Sequence, residues 1–448
     1  MESASLIQPV QSTERIHVLD AIRGFALLGI LLMNIPYFAF PEETVSNLNI
    51  RNEYSGLNYY AWWIVNLFFE GSMRGLFSMM FGAGMILLTT RLSNNVMIDS
   101  AAEIYYRRII WLLVFGLIDA YIILWPGDIL YSYAICGLFL FPFRSMKPKY
   151  LLIVAGILMV LFTIKVSYQR GGPLRNKIAA EAILKKQLPP GKMTLDQKEI
   201  VDKWKGFQEN QKLENKKKAV TSDVRKTKGS YATLFSHYAE VNTFLETNEF
   251  YQSTFLDCLI FMIIGIAFYK LQILTGERTM KFYFLMSLIG YAIAFPLVYY
   301  KLNIALQAKF DIIKITEKSA LFTYEIRRLS LTIGHLGTLM ICYKSGAFRF
   351  IFNIWAKVGQ MAFSNYLVQN MIGGLIFYGF GFNYFNELDR YQLYLVVPCI
   401  WLVNVLFSYI WLNYFRMGPF EWIWRSLTYW NIQPIAKKAE KPVLQPSI

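Results

Sequence analysis

Residues 15–35 read RIHVLDAIRGFALLGILLMNI, an apolar run interrupted by Asp20, Arg23 and Asn34. A helix rising about 1.5 Å per residue needs about 20 apolar residues to cross the hydrocarbon core of a bilayer. The run is too long for a signal peptide, and no small-residue cleavage site follows it. A charge placed inside such a helix costs roughly 2.5–3.5 kcal/mol on insertion scales, so charges there pair and face protein. Asp20 and Arg23 are three residues apart on one helix face and neutralise each other. The first segment therefore predicts a membrane helix whose polar residues have a partner or a task.

The composition agrees. Of 448 residues, 55% are hydrophobic, 17% aromatic and 17% charged, and the mean hydropathy is +0.34. A soluble domain carries about 25% charged residues. Charge is confined to short runs between long apolar segments, which predicts an all-α, polytopic transmembrane bundle with one soluble insertion. The net charge of +15 follows from lysines and arginines flanking spans, and no aromatic-basic nucleic-acid motif accompanies it. Cys136, Cys258, Cys342 and Cys399 sit in apolar stretches without CxxC or Cys/His spacing, as packing residues do.

Hydropathy predicts about ten spans, near 18–38, 66–90, 107–125, 129–143, 150–168, 252–270, 282–300, 324–343, 357–380 and 391–414. The second apolar stretch starts at Tyr59 and exceeds one crossing, so Gly71 or Gly75 is expected to break it. Basic residues fill every even gap: Arg91, Arg107 and Arg108, then Arg144, Lys147 and Lys149, then Lys270, Arg278 and Lys281, then Lys344, Arg349 and Lys357. The tail adds Arg416, Arg425, Lys437, Lys438 and Lys441, whereas Glu42, Glu43, Glu53, Glu387 and Asp389 occupy odd gaps. The positive-inside rule then places both termini in the cytoplasm. The organisation is N-terminal spans over 1–168, a charged extracytoplasmic helical insertion over 169–250, C-terminal spans over 251–430 and a tail over 431–448. Within the insertion, Phe235, Tyr238, Val241 and Leu245 recur at helical spacing, predicting an amphipathic helix that lies on the membrane or caps the bundle.

Several ionisable or polar groups are candidates for chemistry. Glu70 and Arg74 are i, i+4, the favourable order for a helical ion pair. Asp119 and Asp128 bracket a tight Pro126-Gly127 turn, about 13 Å apart if the span stays helical. Arg327 and Arg328 open the eighth span. On this topology these groups converge toward one membrane face, either as packing ion pairs or as a polar cleft. In GQMAFSNYLVQN, Asn365 and Gln369 share a face with Tyr366 and Asn370 beside them, a pattern that interhelical hydrogen bonding also explains. His335 is the histidine within a span, and a lone helix histidine is commonly an interior hydrogen-bonding residue. There is no Ser-His-Asp spacing, phosphate-binding loop or HExxH motif, and no metal site is expected.

Five segments occur in a telling order: RIHVLDAIRGFALLGILLMNI, LFSMMFGAG, RRI…WPGDILYSYAICGL, GQMAFSNYLVQN…IFYGFG and GPFEWIWRSLTYW. Together they resemble the YeiB-like family of bacterial inner-membrane proteins, which carry a C-terminal domain of unknown function 418. The opening formed by Arg15, Asp20, Arg23 and Gly24 is similar to that of membrane acyltransferases of the heparan-glucosaminide acetyltransferase-like and envelope polysaccharide O-acyltransferase groups. That resemblance implies a polar tunnel in which a cytoplasmic acyl-CoA meets an envelope glycan or lipid-linked acceptor, commonly with histidine as acid/base. YeiB-like proteins often have a histidine before GDIL, where this chain has Asp119, so Asp119, Asp128 or His335 would have to act as base.

In that scheme Asp20 and Arg23 shape the tunnel mouth, and Arg74, Arg327 or Arg328 hold an anionic group of donor or acceptor. Asn34, Glu70, Asn365 and Gln369 complete the substrate-contacting set. The expected partners are membrane lipids and that acceptor, with no nucleic acid. Two other readings stay open, a small-solute transporter using the same charges and a non-catalytic membrane scaffold.

Overall fold

The computed structural model describes residues 16–95, 98–186, 193–319 and 322–437. Arg15, Lys438 and Lys441 lie outside them, as does the tail beyond residue 437. The described residues are helices and their connections, without a strand among them. The N-terminal helices are α1 (His17–Ala39), the short α2 (Glu42–Ser46), α3 (Gly56–Phe68), α4 (Ser72–Asn95), α5 (Ile98–Ile118), α6 (Leu130–Leu140) and α7 (Pro148–Arg170). The insertion supplies α8 (Gly172–Leu184), α9 (Leu195–Gln211), α10 (Leu213–Thr227) and α11 (Tyr231–Phe244). The chain continues through α12 (Phe255–Lys270), α13 (Met280–Gln307), α14 (Ile312–Lys318), α15 (Tyr324–Ser345), α16 (Arg349–Gln360), α17 (Ala362–Phe377), α18 (Arg390–Tyr414) and α19 (Pro419–Tyr429).

Six helical stretches are long and apolar enough to cross a membrane: His17–Ala39, Gly56–Leu92, Pro148–Leu184, Tyr231–Lys270, Met280–Gln307 and Arg390–Tyr414. This falls short of the ten expected, for physical reasons. The helices α6 and α17 have only 11 and 16 residues, below the length that spans a bilayer. α5 carries Glu103, Arg107 and Arg108, and α15 carries Glu325, Arg327, Arg328 and Lys344. Among the six, α1 is a central helix with 67% of its apolar window buried, whereas α13 is a peripheral one with 22%. α13 turns Phe284, Leu288 and Ile289 outward, as a lipid-facing helix does.

Close backbone approach holds the centre together. A Cβ on Gly24 would overlap the Trp355 carbonyl, and one on Gly359 would overlap the Asp20 carbonyl, so α1 and α16 touch main chain to main chain. Gly82 and Gly265 are related in the same reciprocal way to Met262 and Met79 across α4 and α12. Small residues at such crossings are how helices associate where lipid removes the hydrophobic driving force.

Two expectations change in detail. Gly71, not Gly75, breaks the second apolar stretch: its φ of +75° is the left-handed conformation glycine adopts without penalty. The expected amphipathic helix near Tyr231–Phe255 is not a separate element. α11 passes through a π-helical segment, Leu245–Thr254, directly into α12, burying Leu234, Tyr238 and Phe250 while Phe235 stays exposed. The insertion has its own small core of Ala180, Ile183, Val201 and Trp204, shared with Ile313 of α14. Lys216 pairs with Glu43 at 3.4 Å, and Lys228 pairs with Glu387. The insertion therefore sits at the end of the bundle that carries the acidic loops. Arg390 binds Glu53 at 2.6 Å and the Thr44 carbonyl at 2.7 Å at that same end. Basic connections meet each other elsewhere: Lys270 Nζ donates to the Arg144 and Met146 carbonyls at 2.6 and 2.7 Å.

Candidate functional site

The hairpin between α5 and α6 builds the first part of the site. α5 ends in a π-helical turn, Asp119–Ile123, and Leu124 then takes a left-handed φ of +65°. The Pro126-Gly127 turn returns the chain, so Asp119 and Asp128 reach partners one helical turn apart on one neighbouring helix, Asn370 and Tyr366. The separation of about 13 Å expected for a continuous α-helix is thereby removed, because the chain leaves α-helical geometry at Asp119 and the helix ends at Leu124. Asp128 accepts from the backbone N–H groups of Leu130 at 2.9 Å and Tyr131 at 2.7 Å, capping the start of α6.

α17 supplies the partners. Asn370 Nδ2 donates to Asp119 Oδ2 at 2.8 Å, and the Tyr366 hydroxyl donates to Asp128 Oδ1 at 3.4 Å while accepting from the Ile129 N–H at 3.1 Å. Asp119 is fully buried and its Oδ1 has no partner among the described residues. Asn365 does different work, donating to Val358 O at 3.1 Å and Ser408 Oγ at 2.8 Å, which ties α17 to its neighbours. Gln369 is buried beside Asn370 with its amide nitrogen unpartnered.

A cavity of about 720 Å³ runs from the α1 N-terminus to this hairpin. Leu130, Tyr133 and Tyr366 close its inner end, and Phe77, Met80, Phe81 and Leu112 line its length. Its outer part carries Asp20, Arg23, Arg91, Arg108, Glu421 and Arg425. Arg23 Nη1 donates to Asp20 Oδ1 at 2.7 Å, the pair expected from the spacing. Arg108 lies over the Trp424 ring at 3.7 Å, and Trp424 Nε1 donates to the Arg108 carbonyl at 2.8 Å. Glu421 Oε1 accepts from the Phe363 and Ser364 N–H groups at 2.8 and 3.1 Å, and Oε2 accepts from the Ser364 hydroxyl. Burial pushes the Glu421 carboxyl up from its ordinary range, against the pull of the Ser364 and Phe363 donors. Glu421 thus caps α17 from another helix, and Glu421→Ala is expected to lower the melting temperature of the purified protein. Losing a cap costs about 1 kcal/mol, so an unchanged melting curve would show that α17 needs no such cap.

A second group of charges lies on the inner side of Tyr133. The Tyr133 hydroxyl bonds Ser78 Oγ at 2.7 Å and donates to the Arg74 carbonyl at 3.4 Å. Glu70 and Arg74 do not pair with each other, because Gly71 ends the helix between them. Glu70 binds Lys301 and Arg327, each at 2.6 Å, and Arg74 binds Asp257 at 2.5 Å. Arg328 also pairs with Asp257, lies 3.6 Å from Glu325, and donates from Nε to the Gly71 carbonyl at 2.9 Å.

His335 is held at both ring nitrogens, Nδ1 to the Tyr291 hydroxyl at 2.8 Å and Nε2 to the Phe68 carbonyl at 2.7 Å. That places it as a clamp on the end of α3, away from the aspartate pair. Asn34 is half-buried in α1, outside both groups. Sequence reasoning overlooked Asp257, Glu325, Lys301, Ser78 and Tyr133. Asp257, a lone acid in TFLDCLIFM, carried the same signal that singled out Asp20.

No solved structure matches this chain. Residues 268–431 match the family model described as "Protein of unknown function (DUF418)". The chain is 29% identical to YxaH of Bacillus subtilis (strain 168) over 441 residues, covering 97% of this chain and 100% of that protein. It is 28% identical to YeiB of Escherichia coli (strain K12) over 438 residues, covering 96% and 100%. Both relatives are described as uncharacterized proteins. The DUF418 region in the C-terminal half, together with relatives that align end to end, supports placing the chain with the YeiB-like DUF418 proteins.

Proposed function

We propose that this protein is a membrane-embedded acyltransferase that moves an acyl group from an acyl-CoA donor to a hydroxyl of a cell-envelope glycan or lipid-linked acceptor. One observation carries the reading: the long apolar cavity is rimmed by arginines and ends at Tyr366, whose hydroxyl touches Asp128. Arginines are suited to the phosphates of the donor and the apolar wall to its chain. On the positive-inside rule the rim faces the cytoplasm, where acyl-CoA is found, and both termini lie there too. In this reading α5, α6, α15 and α17 sit within a bacterial plasma membrane with the six apolar stretches, shielded from lipid by their neighbours, which gives ten spans.

The chemistry balances without a further reagent. Asp128 takes the proton of the acceptor hydroxyl as that oxygen attacks the thioester carbonyl carbon. The new C–O bond forms, the C–S bond breaks, and the thiolate leaves with the proton that Asp128 returns. Asp119, held by Asn370, keeps the Asp128 carboxyl in place and shares its proton, as paired carboxyls do. Tyr366 orients the Asp128 oxygen that works.

Cavity blockage tests the donor half of the reading. Gly84 lines the cavity, and a Cβ there would meet no atom within 4 Å. Gly84→Trp is therefore expected to weaken binding of a fluorescent acyl-CoA by about tenfold or more, roughly 1.4 kcal/mol, without a loss of thermal stability. Full-strength binding in a stably folded variant would place the donor elsewhere, and envelope acyl content identical with and without the gene would end the enzyme reading. A gradient-coupled solute transporter is the second reading, favoured by the Arg74–Asp257–Arg328 group behind the cavity, in which Asp257 and Arg328 are buried. It predicts solute accumulation in vesicles that depends on a pH gradient and on Asp257.

A further inference from the structure

The charge group beyond Tyr133 contains more positive charge than its own carboxylates answer. Arg74, Arg327, Arg328 and Lys301 face Glu70, Asp257 and Glu325, four cations against three acids. Arg170 stands at the edge of the group, its guanidinium 4.2 Å from the Phe322 ring centre, in the field of Glu70 and, more weakly, of Glu249 on the exposed surface of the insertion.

Two long helices also begin here. α4 starts at Ser72 directly after Gly71, and α15 starts at Tyr324 with no side-chain cap. The starts are adjacent, because a Cβ on Gly71 would lie 2.8 Å from the Tyr324 hydroxyl and 2.9 Å from Arg328 Cδ. The unsatisfied N–H groups and positive dipole end of a helix favour anions. Donors inside the group are left over as well. Arg328 is 0% exposed, yet its Nη2 has no partner among the described residues, nor do Arg74 Nε and both Glu325 carboxylate oxygens, so a protonated phosphate oxygen finds an acceptor there as well. A buried guanidinium nitrogen without an acceptor carries a desolvation cost of about 1–3 kcal/mol or more, which a bound anion removes. Access exists, since the side chains of Lys301 and Arg74 are 40% and 34% exposed.

We infer that this group, between the starts of α4 and α15, binds a phosphate-type anion, with Arg74, Arg328, Lys301 and Arg170 as its donors. The guanidinium forks of two arginines match tetrahedral oxygens better than a single carboxylate does. The site lies on the far side of Tyr133 from the arginine-rimmed cavity, so it serves the acceptor and not the donor. That role rests on the acyl-transfer reading and narrows its acceptor to a phosphate-bearing glycan or lipid. The binding itself stands without catalysis.

The test uses full-length protein in detergent and in nanodiscs. Inorganic phosphate at fixed ionic strength is expected to raise the melting temperature above the chloride control, with saturation. The double variant R170Q/K301Q, altered at the accessible edge, is expected to weaken the apparent affinity by about tenfold or more. D128N is expected to bind phosphate like the natural protein even when it transfers nothing, which separates this site from the enzyme reading. Competition by phosphatidylglycerol in nanodiscs, absent with zwitterionic lipid, would assign the phosphate to a lipid, and lack of competition to a soluble or glycan-borne group. A shift no larger than chloride produces, an equal shift with acetate, or one unchanged in a folded double variant would overturn the inference.

Discussion

Asp128→Asn is expected to cut acyl transfer to the envelope acceptor by about 10²–10⁴-fold, the range that a positioned general base contributes. The amide keeps the size of the carboxyl and one carbonyl oxygen, so it still accepts from the Leu130 and Tyr366 groups, and only the Tyr131 N–H loses its acceptor. What it loses is the ability to take a proton. The fold should survive, because the Asn variant still caps α6 and introduces no new volume. Asp119→Asn removes the interacting carboxyl but leaves Asp128 ionisable, so its loss should be smaller and should appear as a displaced pH profile of transfer. Tyr366→Phe removes the contact that aims Asp128 and should fall between the two. Envelope acyl content in cells carrying each variant, normalised to protein level, measures all three. If Asp128→Asn restores a deletion strain to full acyl content, the aspartate pair is a structural cap and the base lies elsewhere.

Much of the bundle was legible because lipid imposes a coarse code. The all-helical bundle is as expected, with six stretches long and apolar enough to cross a membrane, and Asp20 and Arg23 pair as their spacing requires. The partners of the remaining charges were not legible, for two reasons. A one-residue backbone event redirects everything after it: Gly71 in the left-handed region separates Glu70 from Arg74, and the π-turn at Asp119 brings it to Asp128. Spacing rules assume an unbroken helix and fail at such points. The second reason is sequence distance. Asp257 is 183 residues from Arg74, and Lys301 is 231 residues from Glu70. Neither pairing leaves a local trace, and the isolated acid in an apolar run signals only that some partner exists. The capping of α17 by Glu421, 57 residues away from Ser364, was hidden for the same reason.

Gly24→Leu is expected to leave little or no folded protein, a larger effect than that of any charge substitution named above. Overpacking a core costs typically about 1–3 kcal/mol when neighbouring side chains can move aside. At Gly24 the obstacle is the Trp355 carbonyl with the Gly359 N–H behind it, and main chain inside a helix has no rotamer to change. Relief requires α1 and α16 to separate along a crossing where Gly359 presses on the Asp20 carbonyl from the other side. Gly359→Leu should therefore fail in the same way. The double variant should be little worse than either alone, because the first leucine already opens the crossing and the two sites are coupled. Asp20, Arg23, Gly359 and Gln360 all line the cavity near that crossing, so any material that folds should also bind acyl-CoA poorly. Gly156→Leu on α7, where a Cβ meets no atom within 4 Å, is the matched control and should behave like the natural protein. Yield of monodisperse protein after extraction, followed by thermal unfolding in detergent, decides the matter. A Gly24→Leu protein as abundant and as stable as the Gly156→Leu control would mean that α1 and α16 do not meet at this crossing, and the mouth of the cavity would have to be redrawn.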